Sequence, residues 1–355
     1  MYRFHRYNLI RWDISSPSVA YKLFVRGLYD YVIVKEETSS SVTTRSYFVA
    51  SKGIEASWSN RASLIYSNDI QGRKLVNEGQ NWIEANGGSS FTGLLDTYSG
   101  ATAAFSLRKL SSSYLGDCIT VRRSSDNATQ SIGFVNNELD STALNAFCSG
   151  SNGFVTTWYD QSGNGIDALN PVASEQPKIY EAASGVITEN GKSALLFDGV
   201  NDKLITSQNI TNGTNPASFF WAGNIYNVES PIFGKESGAN RGLGFSQEED
   251  RYRVYAEFFN SNDHFAVPIL NQQVLLDFVM INGVSDFYEN GVQIPLSAPQ
   301  LQGIDFFGDT RAIGSNFKLR YFDGVMQEFI LYHTDQTTDR QAIENNINDR
   351  YSIYP

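Results

Sequence analysis

Ala217-Ser-Phe-Phe-Trp-Ala-Gly-Asn-Ile225 is apolar at nearly every position, the pattern of a strand buried on both faces rather than wetted on one. Val274-Leu-Leu-Asp-Phe-Val-Met-Ile281 reads the same way, broken only by Asp277. Phe322-Asp-Gly-Val-Met-Gln-Glu-Phe-Ile-Leu-Tyr332 alternates apolar and polar residues at first, then becomes continuous. Phe287-Tyr-Glu-Asn-Gly-Val-Gln-Ile294 predicts a hairpin, because Asn290-Gly291 supplies the positive-φ residues of a type I′ turn. Ser193-Ala-Leu-Leu-Phe-Asp198 runs into the polar turn Gly199-Val-Asn-Asp202. The composition agrees, with 29 Gly, 19 Tyr and 23 Phe among 355 residues and charged residues at only 18%. This is an all-β chain with many turns.

Two helices interrupt the strands. Asp140-Ser-Thr-Ala-Leu-Asn-Ala-Phe-Cys148 offers Asp140 or Ser141 as a cap and Leu144, Phe147 and Cys148 as an inward face. Further on, Thr338-Asp-Arg-Gln341 has capping-box spacing, and Ile343, Ile347 and Tyr351 continue as an apolar stripe. Toward the N-terminus, Val19-Ala-Tyr-Lys-Leu-Phe-Val25 and Asp30-Tyr-Val-Ile-Val-Lys35 are strand-like, and Asn86-Gly-Gly-Ser-Ser90 is a linker signal. The expected architecture is a two-sheet jelly-roll sandwich over residues 89–355 with short peripheral helices. A small β-rich anchoring domain over 1–88 precedes it.

Charge and motif content narrow the function. Lys plus Arg total 27 against 38 Asp plus Glu, a formal net charge of −11, which disfavours a partner held through phosphates. No apolar run is long enough for a membrane span. Three His and two Cys are too few and too scattered for a local zinc site. Phosphate-loop, dinucleotide-binding and serine-nucleophile motifs are absent from the sequence. Met1-Tyr-Arg-Phe-His-Arg-Tyr7 has no signal-peptide apolar region, so Cys118 and Cys148 are expected as buried free thiols.

Phe105-Ser-Leu-Arg-Lys-Leu-Ser-Ser-Ser-Tyr114, Val121-Arg-Arg-Ser-Ser-Asp-Asn127 and Trp158-Tyr-Asp-Gln-Ser-Gly-Asn164 together resemble the opening of the α-L-arabinofuranosidase B catalytic domain. They also resemble a module of tailed-phage virion proteins. Leu196-Phe-Asp-Gly-Val-Asn-Asp202 and Tyr321-Phe-Asp-Gly-Val-Met-Gln-Glu-Phe-Ile-Leu331 are similar to concanavalin A-like, laminin-G-like sandwiches. The arabinofuranosidase resemblance implies a carboxylate nucleophile near Pro231-Ile-Phe-Gly-Lys-Glu236, hence Glu236. It puts the family's acid at Ile313-Gly-Ser-Asn316, where Ser315 or Asn316 is neutral and Asp309 is the nearby substitute.

A neutral residue at the acid position favours a non-enzymatic reading. On it the chain is a bacteriophage fibre, neck, head or decoration protein, located on the virion, with a lectin-like sandwich facing a host-surface glycan. Its N-terminal domain would bind other virion proteins, and the assembly would be a homo-oligomer. A glycoside hydrolase of α-L-arabinofuranosidase type is the alternative, and a bacterial surface adhesin the third reading. Trp158, Tyr159, Asp160, Gln161 and Asn164 are the carbohydrate-binding candidates, but the favoured reading of the motif is that Trp158 fills the core and Asp160 and Ser162 close a turn. No cofactor is expected beyond calcium, for which Asp198, Asn201 and Asp202 are the candidate oxygen ligands.

Overall fold

The computed structural model describes residues 91–210, 216–234, 244–248, 251–255, 261–266, 268–281, 284–299, 312–316 and 320–355, together with six strands before residue 91. The chain divides into two compact units, Met1–Phe91 and Thr92–Pro355. In the first, six strands from Leu9–Ile14 to Val76–Asn77 form one antiparallel sheet whose order follows the chain.

The second unit is a β-sandwich. In one layer Ala217–Ile225 is central, pairing antiparallel with Gln273–Ile281 on one side and Asp323–Tyr332 on the other. Beyond these lie Val284–Glu289 against Gln273–Ile281, and Ala103–Ser106 against Asp323–Tyr332. The facing layer runs from Ile119–Arg123 through Gly153–Trp158, Ala168–Leu169, Leu204–Thr206, Ala312–Ile313 and Pro231–Gly234 to Gly244–Glu248 and Arg251–Tyr255. The period-2 alternation of a strand divides Ala217–Ile225 between two cores. Phe219 and Trp221 point between the layers, where Phe219 meets Phe233 at 4.8 Å and Phe329 at 5.1 Å. Phe220 and Ala222 point the other way, against Ile343, Ile347 and Tyr351 of the helix Arg340–Tyr351. That helix is why the decisive strand is apolar on both faces.

Local signals are realised with one change. Asp140 caps the helix Ser141–Cys148 by accepting from the Ala143 amide at 2.9 Å. At the C-terminal helix the capping residue is Asp339, without a side-chain cap bond, so the Thr338-to-Gln341 spacing does not produce the expected box. Asn290 and Gly291 adopt φ 51° and 78°, as a type I′ turn requires. Cys118 and Cys148 are buried and unbonded to each other.

The C-terminal helix is also held by charge. Arg340 Nη1 lies 3.2 Å from Asp277 Oδ1 and 2.8 Å from Glu344 Oε2, and its guanidinium sits over the Tyr288 ring at 3.5 Å. Tyr354 donates its hydroxyl to Glu344. Two buried carboxyls thus share one arginine. Burial first, then the Glu344 charge, push the Asp277 carboxyl well above its ordinary value despite Arg340. A folded-state pKa raised above the unfolded one contributes stability at low pH that is lost as pH rises toward the folded value. Stability from Asp277 should therefore decline above about pH 4, by at most about 1.4 kcal/mol per pH unit. Urea unfolding across pH 4–9 tests this: Asp277→Asn should flatten the decline, and an unchanged slope would refute the assignment.

Candidate functional site

The Trp158-to-Asn164 segment turns inward. Trp158 ends the strand Gly153–Trp158, is 0% exposed and packs on Phe105 with ring centroids 5.7 Å apart, so neither face of its ring is open to a sugar. Asp160 is 4% exposed, and its oxygens accept from the Ala104, Ser162 and Ile166 amides and the Ser162 hydroxyl at 2.7–3.0 Å. Gln161 accepts from the Leu110 amide at 2.8 Å and donates to the Ser106 and Arg108 carbonyls at 3.0 Å. Asn164 donates to the Ala101 and Thr102 carbonyls, and the Tyr159 hydroxyl meets Thr120 Oγ1 at 2.9 Å. These polar groups fasten a turn to the strand Ala103–Ser106, the arrangement of an Asx-type turn over a filled core. What remains open is a cleft of about 380 Å³ beside the turn, bounded by Leu95, Asp96, Ser99, Tyr114, Leu115 and Ser162 among others.

A second constellation forms at the other end of the strand Asp323–Tyr332. Pro231–Gly234 pairs with Ala312–Ile313, and a Cβ on Gly234 would stand 3.3 Å from Asn316 Cβ. Gly234 therefore lies directly against Ser315 and Asn316. Those two residues are 2% and 4% exposed, and the Asn316 amide donates to the Arg320 carbonyl at 3.2 Å. Glu236 and Asp309 themselves lie outside the described residues.

Around this end the described chain gathers further acids and their partners. Arg320 pairs with Glu229, each about a third exposed, and Glu229 adopts a left-handed φ of 69°. Asn227 donates to Asp323 Oδ2, and the Asp323 backbone faces Asp198 across the antiparallel ladder. Asp198 Oδ1 accepts from the Val200, Asn201 and Asp202 amides, so the turn Gly199–Asp202 uses this oxygen for its own backbone. Asp202 Oδ2 accepts from the Asp198 amide at 3.0 Å. Burial, then the Asp198 charge, raise the Asp202 carboxyl to about 7. Among the described residues no group of three or more His, Cys, Asp or Glu is arranged to hold a metal ion.

Spacing did not single out Glu229, Arg320, Asn227 or Asp323, which meet only through the fold. The one sequence signal is that Asp323 interrupts an apolar run. The motif favoured a turn closed by Asp160 and Ser162 with Trp158 in the core, but it did not disclose what Asp160 and Gln161 bind. Their partners Ala104 and Leu110 lie more than 50 residues away.

Comparison with known proteins adds what geometry alone does not. The family model "Alpha-L-arabinofuranosidase B, catalytic" matches residues 95–197. Among solved structures, a GH54 α-L-arabinofuranosidase soaked with a cyclic sulfate inhibitor superposes with a TM-score of 0.52 at 15% identity, over 70% of this chain and 62% of that one. A mutant GH54 α-L-arabinofuranosidase soaked with 4-nitrophenyl α-L-arabinofuranoside gives a TM-score of 0.53 at 15% identity with the same coverage. The chain thus spans less than two thirds of the length of these proteins. Comparison with curated proteins gave no match. These findings correct the expectation of a non-enzymatic phage fibre, decoration or adhesive protein, whose phage part rested on resemblance and whose non-enzymatic part rested on a neutral residue at one aligned position. A match along residues 95–197 carries more weight than that position, and it points to glycoside hydrolysis. The large unit shares the β-sandwich fold of these two structures, and over residues 95–197 it is similar to the arabinofuranosidase B catalytic domain.

Proposed function

We propose that this chain is a glycoside hydrolase of α-L-arabinofuranosidase type, releasing arabinofuranosyl groups from a saccharide. The observation that carries the reading is the family match over residues 95–197. The structure supports it locally. Gly234, two residues before Glu236 in sequence, packs against Asn316, seven residues after Asp309, at one end of the sandwich.

Retaining glycosidases need two carboxyl groups about 5–5.5 Å apart, one attacking the anomeric carbon and one protonating the leaving oxygen. In this reading Glu236 is the nucleophile. Asn316 and Ser315 are covered and carry no titratable proton, so the acid falls to Asp309. The bond from the anomeric carbon to the leaving oxygen breaks as the Glu236 oxygen bonds to that carbon. The Asp309 proton goes to the leaving oxygen, and the residue, now a base, activates the water that releases the sugar.

Hydrolysis of 4-nitrophenyl α-L-arabinofuranoside tests this. The unsubstituted chain should turn the substrate over, and Glu236→Gln should lower the rate by about 10³-fold or more. Asp309→Asn should slow an oligosaccharide substrate by about 10²–10⁴-fold but the nitrophenyl substrate less, because nitrophenolate leaves without a proton. An unsubstituted chain that leaves the substrate intact, or a Glu236→Gln chain of full activity, refutes the assignment.

A further inference from the structure

We propose that the cleft beside Tyr114 is a second saccharide-binding site, taking a neutral oligosaccharide and separate from the end of the sandwich assigned to hydrolysis. Its volume of about 380 Å³ falls within the range of small-molecule sites. Its wall mixes hydroxyls of Ser99, Ser162 and Tyr114 with the apolar side chains of Leu95 and Leu115. A sugar ring has the same two characters, an apolar C–H face and a hydroxyl edge.

Charge selects against other small ligands. Among the described residues Asp96 is the one ionisable carboxylate in the wall, and no cationic side chain lines it. Burial opposes its ionisation, but hydrogen bonds from the Ser111 hydroxyl and the Ser112 and Gly93 amides outweigh that and hold its pKa below the ordinary value. A fixed negative charge on a chain of net charge −11 repels phosphates and uronates while offering sugar hydroxyls an acceptor.

The wall is also built in advance, which lowers the ordering cost of binding. The Leu95 amide donates to the Leu110 carbonyl at 2.8 Å, and Tyr114 donates its hydroxyl to the Asp117 carbonyl at 2.9 Å. The inward clamp of Asp160 and Gln161 fixes the Ser162 side. The motif that supplies no sugar contact through Trp158 thus acquires a role as the floor and hinge-free wall of this cleft. At the rim Leu115 stands 70% exposed, a large apolar side chain that a seated ring would cover.

The two sites lie at opposite ends of one strand. Thr102, which accepts from Ser162, bonds to Leu331, whereas the hydrolytic end gathers around Asp323. At about 3.3 Å per residue that separation is roughly 25 Å, so a polymer could occupy both ends.

The saccharide class rests on the hydrolase reading, and the experiment keeps the two apart. Xylotetraose and α-1,5-arabinotetraose are titrated calorimetrically into the full chain carrying Glu236→Gln, so that neither is consumed. Binding of at least one is expected. Adding Leu115→Glu or Ser99→Trp should weaken it about tenfold or more, while either change alone in the unsubstituted chain leaves 4-nitrophenyl α-L-arabinofuranoside hydrolysis intact. Both positions are exposed, so the fold is not at stake. Absence of binding at about 10 mM ligand, or binding unaltered by both substitutions, overturns the cleft site. A chain that binds a tetraose through this cleft yet leaves the nitrophenyl substrate intact retains the cleft site and loses the hydrolase reading.

Discussion

Glu328→Leu is expected to lower the unfolding free energy of the large unit by about 3–5 kcal/mol, the cost of stranding a buried charge. The Glu328 side chain is 0% exposed, and Arg108 beside it is 12% exposed. Arg108 reaches it through two bonds, Nε to Oε2 and Nη2 to Oε1, both 2.8 Å. Ser106 Oγ and the Tyr351 hydroxyl add donors at 2.8 Å and 3.1 Å. With the carboxylate gone, a guanidinium and two hydroxyls lose their acceptor together, in a place water reaches poorly. Replacing both charges, Glu328→Leu with Arg108→Met, should recover about half the loss or more, because the guanidinium is no longer stranded. Urea titration of the single and double variants measures the recovery. A double variant no more stable than Glu328→Leu would show that the damage lies in packing rather than charge.

Gly324→Ala is expected to do still more harm, leaving little folded large unit at 25 °C. Gly324 has φ 149°, and an added Cβ would fall 2.1 Å from the Asn224 carbonyl oxygen, a backbone atom with no side-chain freedom to yield. It sits where Asp323–Tyr332 pairs with Ala217–Ile225, beside the irregularity at Ala222 and Gly223. The clash therefore forces apart the two central strands. Gly100→Ala is the control, with φ 85° and open space above it, and should cost only about 1 kcal/mol. Near-equal melting temperatures for the two variants would contradict the argument.

The sheet core was legible because each strand advertises its surroundings. Ala217–Ile225 is apolar throughout, and the stripe Ile343, Ile347 and Tyr351 announces the helix that covers its second face. The Asn290-Gly291 hairpin and the Asp140 cap were readable for the same reason, since each is decided within a few residues. The polar motif after Trp158 was legible only in part, its spacing favouring a turn closed by Asp160 and Ser162 with Trp158 in the core. Whether Asp160 and Gln161 face solvent or the interior depends on amides at Ala104 and Leu110, which no spacing within the motif encodes. The functional reading failed for a related reason. It gave the neutral Ser315 and Asn316 more weight than Asp309, the substitute acid named beside them. A loop can deliver an acid from another place in the sequence, and Asp309 is six residues before Ser315.

The strand Ala103–Ser106 completes its layer by pairing with Glu328–Leu331, and Ser106 bonds to Glu328 at a sequence separation of 222. Closing so long a loop comes before any of its contacts can reward it, so the rate at which the sandwich assembles is governed by that search rather than by local propensity. Until it ends, the flank of Asp323–Tyr332 is an open template for another chain, and refolding yield should fall as protein concentration rises.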